Sequence, residues 1–211
     1  MEFFMKNTNL QLLKRIICFI TGMGFISLGI ALTYKAQKLG TGAFDALNMG
    51  LSDTFGLTPG TWVIISGIII LIINTFLDKQ FPKILSAIPV LIIGQFMNFW
   101  MVVLRDFNPK NYPLLIAFLL LGLVTIAFGA AMYILPAFSP SPIDLITLTI
   151  MNKLKWTFGK TKTVVELIAL VLALFFGGPI WVGTIVITFL IGPIIQFFLK
   201  LLEKPYNILV K

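Results

Sequence analysis

The chain has 211 residues, of which 58% are apolar or aromatic and only 11% are charged, with a mean hydropathy of +1.01; an ordinary soluble domain carries about 25% charged residues, so a soluble globular protein is excluded. Histidine is absent and Cys18 is the single cysteine, which excludes a disulfide within the chain, the usual imidazole and thiolate ligand sets of zinc, haem and iron–sulfur centres, and Ser/His or Cys/His nucleophilic pairs; no metal, no cofactor and no enzymatic activity are expected. Sixteen Lys and Arg against eight Asp and Glu give a net charge of +8, which in so hydrophobic a chain points to membrane topology and anionic lipid rather than nucleic acid.

Six spans are read in chain order. The apolar run 16–34, preceded by Lys6, Lys14 and Arg15, exceeds the ~7–15 residues of a signal-peptide core and is read as an uncleaved first span, 12–34. The others are 61–77, 84–104, 112–135, 162–176 and 180–202; the second and fifth approach the ~17-residue lower limit for a membrane helix. Pro89 inside the third span predicts a kink. Thr58-Pro59-Gly60-Thr61 and Asn111-Tyr112-Pro113 read as helix starts with Pro near the first position. With the N-terminus inside, twelve basic residues (Lys6, Lys14, Arg15, Lys79, Lys83, Lys153, Lys155, Lys160, Lys162, Lys200, Lys204, Lys211) fall on the inner side and four (Lys35, Lys38, Arg105, Lys110) outside. That bias predicts both termini in the cytoplasm.

The second half reads as a rewritten first half. At an offset of 100, Gly22, Ile26, Gly29 and Ala31 meet Gly122, Ile126, Gly129 and Ala131, one small-residue stripe on the first and fourth spans. Ser27 and Ala31, with mates Ala127 and Ala131, have the spacing that lets two helices approach closely. After a one-residue slip Asp45 pairs with Asp144, each behind a breaker-rich stretch: Leu39-Gly40-Thr41-Gly42 and Phe138-Ser139-Pro140-Ser141-Pro142. Phe55-Gly56-Leu57-Thr58 then meets Phe158-Gly159-Lys160-Thr161, and Gly94 with Asn98 meets Gly192 with Gln196. The preserved order marks an internal repeat. Each unit, 1–110 and 111–211, has three spans, and an odd number inserts the second copy upside down, as in many secondary transporters. The expected architecture is all-α, six transmembrane helices as two inverted three-helix repeats in one compact membrane domain, with broken or interfacial helices after the first and fourth spans.

Among the acids, Glu2, Asp78, Asp106 and Glu203 fall at termini or span ends, where hydration is retained. Asp45 and Asn48 share a helix face, and Thr147 stands to Asp144 as Asn48 stands to Asp45. Two readings stay open. Either the aspartates cap short interfacial helices, or the broken segments dip into the bilayer and aim helix ends and carboxylates at a central cavity. Glu166 is followed by an unbroken apolar run, and an acid at a span centre costs ~2.5–3.5 kcal/mol on insertion scales. Lys162, four residues earlier, pairs with it in one reading; in the other Glu166 couples a proton or cation. The amides of Asn74, Gln95, Asn98 and Gln196 suit interhelical hydrogen bonds, and Asn98 and Gln196, as repeat mates, are expected to line a shared interface. The binding candidates are Asp45, Asn48, Asp144, Thr147, Glu166, Asn98 and Gln196.

The segment Leu39-Gly40-Thr41-Gly42-Ala43-Phe44-Asp45-Ala46-Leu47, then Gly50-Leu51-Ser52, then Gly56-Leu57-Thr58-Pro59-Gly60-Thr61-Trp62 resembles the YczE/YyaS/YitT family of bacterial membrane proteins, over nearly the whole chain. The family's usual Gly-Pro-Trp-Asp appears as Gly42-Ala43-Phe44-Asp45, so the fixed proline turn is lost and the aspartate stays. The resemblance implies a protein of the bacterial cytoplasmic membrane; some relatives are described as exporters of amphiphilic compounds, and one is tied to antibiotic production. The expected function is secondary transport, with export of a small amphiphilic molecule. Its rival is a non-transporting scaffold or regulator that holds a cytoplasmic partner, such as a biosynthetic enzyme, through the basic inner loops. The chain lacks G-x-x-x-x-G-K-[ST], which disfavours ATP hydrolysis. Expected partners are an anionic bilayer and a small-molecule cargo, with no nucleic acid and with homo-oligomers left open.

Overall fold

A computed structural model describes residues 2–79 and 84–210; Lys83 and Lys211, assigned above to the inner side, lie outside the described residues. Every element described is helical: α1 (Glu2–Lys35), α2 (Ala43–Phe55), α3 (Pro59–Asp78), α4 (Ala87–Val103), α5 (Tyr112–Ile134), α6 (Pro142–Leu154), α7 (Phe158–Phe175) and α8 (Val182–Val210), with single 3-10 turns at Gln37–Leu39 and Ile84–Ser86. Five segments are long and apolar enough to cross a membrane: Leu10–Lys35, Pro59–Asp78, Ile84–Val103, Tyr112–Ile134 and Val182–Leu209. The expected fifth span is α7, which has 18 residues and carries Lys160, Lys162 and Glu166 in its first half, so composition alone does not count it as a sixth. Large apolar side chains such as Phe76, Val102, Phe175 and Phe189 are exposed on the outer faces, as expected where lipid replaces water as the surrounding solvent.

The frame is the antiparallel crossing of α1 and α5. Gly22 lies on Gly129 and Gly29 on Gly122, reciprocally: a Cβ at Gly22 would stand 2.8 Å from the Gly129 carbonyl oxygen, and one at Gly129 2.6 Å from that of Gly22. The corresponding values at Gly29 and Gly122 are 2.7 and 2.8 Å. Ser27, Ala31, Ala127 and Ala131 are fully buried alongside, so the small-residue stripe brings backbone against backbone. At one end of the crossing the Cys18 thiol donates to the Met132 carbonyl at 3.4 Å and the Arg15 guanidinium to that of Pro136 at 2.7 Å. α4 packs on α1, and α8 on α5. Pro89 lies in the first turn of α4, directly after the 3-10 turn Ile84–Ser86, where the N–H it lacks would have no partner within the α-helix. The prolines inside a helix are Pro193 and Pro205 of α8.

Beside this frame, α2 packs between α3 and α7, and α6 packs between the same two helices. The chain enters α2 through Gly40, whose φ of 93° favours glycine and whose Cβ would stand 2.6 Å from Thr184 Oγ1. It leaves at Gly56, also at positive φ. Phe55 meets Phe176 at 5.7 Å between ring centroids, and Thr54 Oγ1 donates to the Phe176 carbonyl at 3.3 Å, while Leu47 packs with Ala173. The C-terminal ends of α2 and α7 therefore lie together, and the N-terminus of α2 points back into the bundle.

The helices α2 and α6 have 13 residues each and start 99 positions apart. Thr58 and Thr157, at the same offset, cap α3 and α7 by accepting from the backbone N–H of Thr61 and Lys160. The expected match of Phe55-Gly56 with Phe158-Gly159 is thereby corrected. Gly56 closes α2, Phe158 opens α7, and the residue in the place of Gly56 is Lys155, itself left-handed at φ 53°.

Two corresponding seams differ. α3 packs closely on α4, where a Cβ at Gly94 would stand 2.6 Å from the Gly60 carbonyl oxygen and against Ile64, and Gly67 abuts Val90. α7 and α8 have no packed seam, and Gly192, the sequence mate of Gly94, would find open space around a Cβ.

Candidate functional site

Five of the seven polar residues expected to carry function, Asp45, Asn48, Asp144, Thr147 and Glu166, lie on or beside the N-terminal turns of α2 and α6. Asp45 and Asp144 each occupy the third position of their helix, where a carboxylate complements the exposed N–H groups and the positive end of the helix dipole. Their surroundings differ. Ser141 caps α6, its Oγ accepting from the Asp144 N–H at 3.3 Å and donating to Asp144 Oδ2 at 2.8 Å, while the Tyr133 hydroxyl accepts from the Ser141 N–H at 2.5 Å. Gly42 caps α2 with no side chain to offer; Asp45 Oδ2 folds over it, 3.1 Å from where a Cβ would stand. The capping reading thus fits Asp144, held by Ser141, better than Asp45.

One turn further, Asn48 and Thr147 are buried and repeat one another. Asn48 Nδ2 donates to the Phe44 carbonyl at 3.0 Å, and Thr147 Oγ1 to the Ile143 carbonyl at 2.7 Å. Asn48 Oδ1 also accepts from Ser66 Oγ at 2.8 Å, tying α2 to α3. Asn48 thus joins two helices, whereas the bond of Thr147 stays within α6.

Glu166, only partly exposed, is paired with Lys162 at 3.5 Å, and the same ammonium group reaches Asp144 at 3.7 Å. Asp45 lies within electrostatic reach of Glu166. Two carboxylates therefore share one lysine and a third stands near them. Among the described residues no three His, Cys, Asp or Glu side chains converge closely enough to hold a metal.

Beside this group, between α7 and α8, opens a cavity of about 560 Å³, within the ~300–1,000 Å³ range of small-molecule sites. Ala43, Thr163 and Glu166 line it from one side; Leu167, Leu170, Trp181, Ile185 and Phe189 supply most of its apolar surface, with the hydroxyls of Thr184 and Thr188. A second cavity, of about 250 Å³, lies among Ile16, Phe19, Ile92 and Phe138 and is almost wholly apolar; none of the candidate residues lines it.

Asn98 and Gln196 do not form the expected symmetric pair. Asn98 faces Gly60 in the α3–α4 seam, its Oδ1 buried without a hydrogen-bond partner, and Gln196 is exposed on α8. Sequence reasoning missed Ser66, Trp181 and Thr184, and the reach of Lys162 to Asp144. A serine in the apolar run of α3 was the available signal for Ser66; the contact of Lys162 with α6 leaves no local trace.

An all-helical fold with several apolar helices wrapped around a polar interior group defines the class, a multi-pass integral membrane protein. The chain matches a family of unknown function, DUF6198, over residues 13–200, and belongs to it. It is 38% identical over 187 residues to the uncharacterized protein YyaS of Bacillus subtilis, which covers 88% of this chain and 92% of that protein. It is 31% identical over 189 residues to the uncharacterized membrane protein YczE of the same organism, covering 90% and 87% respectively. The resemblance to YczE and YyaS read from Gly42–Asp45 and the segments after it is thus confirmed. No solved structure matches the chain.

Proposed function

We propose that the protein is a secondary transporter for a small amphiphilic molecule, without catalytic activity, in the bacterial cytoplasmic membrane. In this reading α7 is the sixth span, 1–110 and 111–211 are inverted repeats, both termini are cytoplasmic, and α2 and α6 are half-helices that enter the bilayer from opposite faces with their N-termini near its middle. The equal lengths of α2 and α6, the shared caps at Thr58 and Thr157 and the reciprocal packing of Gly22 on Gly129 and Gly29 on Gly122 support the repeat. In this reading a two-fold axis through the α1–α5 crossing would relate those contacts. Lys160, stacked over Trp156 at 4.3 Å, suits a headgroup anchor at an anionic inner surface.

The observation that carries transport is the unequal pair of seams. Where a two-fold arrangement has one seam packed and its counterpart open, exchanging the two is the simplest route to alternating access. In the exchanged state Gly192 meets Thr163 as Gly94 now meets Ile64. The experiment uses cysteines in a Cys18→Ser background. Thr163→Cys with Gly192→Cys is expected to cross-link in liposomes, and the cross-linked form is expected to expose Asn98→Cys to maleimide. Impermeant labels should reach Lys38→Cys and Lys155→Cys from opposite sides. Labelling from one side contradicts the inversion; an unreactive Asn98→Cys after cross-linking contradicts the exchange.

A further inference from the structure

Resting on that transport reading, we propose that the cavity between α7 and α8 takes an organic monocation with an apolar body, its charge set against Glu166 and its body against Trp181, Leu170 and Phe189. Among the residues lining the cavity Glu166 is the single charged one. Its lysine is already divided: Lys162 stands 3.5 Å from Glu166 and 3.7 Å from Asp144, so one ammonium group faces two carboxylates, with Asp45 near by. An anionic cargo would meet like charge in a medium that screens it poorly, and a neutral one would leave one negative charge of the Glu166–Lys162–Asp144 group uncompensated. A cation compensates it.

The remaining surface fits the rest of such a ligand. Trp181, largely exposed, offers an aromatic face to the apolar body of the ligand. Thr184 and Thr188 are the few neutral polar groups in an otherwise apolar lining, too few to solvate a sugar or a polyanion. The cavity opens between two helices that do not pack together, so an amphiphile reaches it sideways from the bilayer, already oriented with its charge toward water.

The test uses full-length protein in nanodiscs of phosphatidylcholine, with protein-free discs as the reference for partitioning, and two probes of the same shape and opposite charge, tetraphenylphosphonium and tetraphenylborate. Binding is read by calorimetry and by tryptophan fluorescence. Tetraphenylphosphonium is expected to bind saturably and at least tenfold more tightly than tetraphenylborate. Glu166→Gln should remove most of that preference, and Trp181→Phe should remove most of the fluorescence change while heat of binding persists. Lys162→Gln, which frees Glu166, should tighten the cation about threefold or more; this second variant decides the matter if Glu166→Gln does not fold. Equal affinity for the two probes, an unchanged preference in Glu166→Gln, or weaker cation binding in Lys162→Gln overturns the proposal. Because no flux is measured, cation binding without the Thr163–Gly192 cross-link contradicts transport alone, and the cross-link without cation preference contradicts this inference alone.

Discussion

The seam between α3 and α4 and the one between α7 and α8 follow the same backbone plan with different side chains. At an offset of 99, Val63, Ile64 and Gly67 of α3 become Lys162, Thr163 and Glu166 of α7. In the first half Gly67 lets Val90 close the seam, and Ile64 fills the space beside Gly94. In the second half those places hold an ion pair and a hydroxyl, and a cavity stands where the packing would be. Here the charges sit on the unpacked seam, because a carboxylate opposite packed apolar groups loses its hydration without gaining a partner.

Glycine substitutions should separate the seams most strongly. Gly94→Leu forces a side chain into the Gly60 carbonyl and Ile64, and is expected to destabilise by about 3 kcal/mol or more, at or beyond the usual range for overpacking, or to prevent folding. Gly192→Leu, facing open space, should leave the unfolding free energy within about 0.5 kcal/mol of wild type while preventing closure of the α7–α8 seam. Thermal unfolding in one detergent, with the Thr163–Gly192 cross-link yield, measures both; equal destabilisation would remove the distinction.

A smaller effect is expected from the shared lysine. Lys162→Met strands Asp144 and Glu166, and because these side chains are partly exposed the loss should be about 1–3 kcal/mol, between the exposed and buried ranges. Adding Glu166→Gln should restore about half of it. No recovery in the double variant would mean that the pair is not what the lysine stabilises.

The buried polar residues of the short helices α2 and α6 differ least. Asn48→Ala removes the link between α2 and α3 and leaves the Ser66 hydroxyl only its longer bond to the Val63 carbonyl, at 3.3 Å, a loss of about 1–1.5 kcal/mol. Thr147→Val removes only a bond within α6 and should cost less than about 1 kcal/mol. Melting curves of the two variants, side by side, give the order; the reverse order would place the main tie of the polar group in the second half.

Much of the frame was legible because it depends on local composition. Apolar runs located α1, α3, α4, α5 and α8, and the glycines at 22, 29, 122 and 129 marked the crossing, since backbone contact demands residues without side chains. The breakers before Asp45 and Asp144 marked the places where the short helices α2 and α6 begin. What failed depends on position within an element. Gly56 and Gly159 look alike in a string of letters, yet one ends a helix and the other lies in the first turn of the next. Pro89, read inside a span from 84, falls in the first turn of an α-helix that starts at Ala87. The pairing of Asn98 with Gln196 assumed that both halves pack alike, and the unequal seams separate them: one residue is inside a packed seam, the other on an exposed face. The reach of Lys162 to Asp144 joins elements that only the folded bundle brings together.

The account's central claim, that the two seams exchange, is most directly tested by pulsed electron–electron distance measurements on the Cys18→Ser protein in nanodiscs. One sample carries spin labels across α3 and α4 on the exposed Phe76 and Leu91, another across α7 and α8 on the exposed Leu174 and Leu190. The account predicts two distances in each sample, with the short population of one matching the long population of the other, and with both shifting together when tetraphenylphosphonium is added. A single distance across each seam, unchanged by the probe, would contradict it.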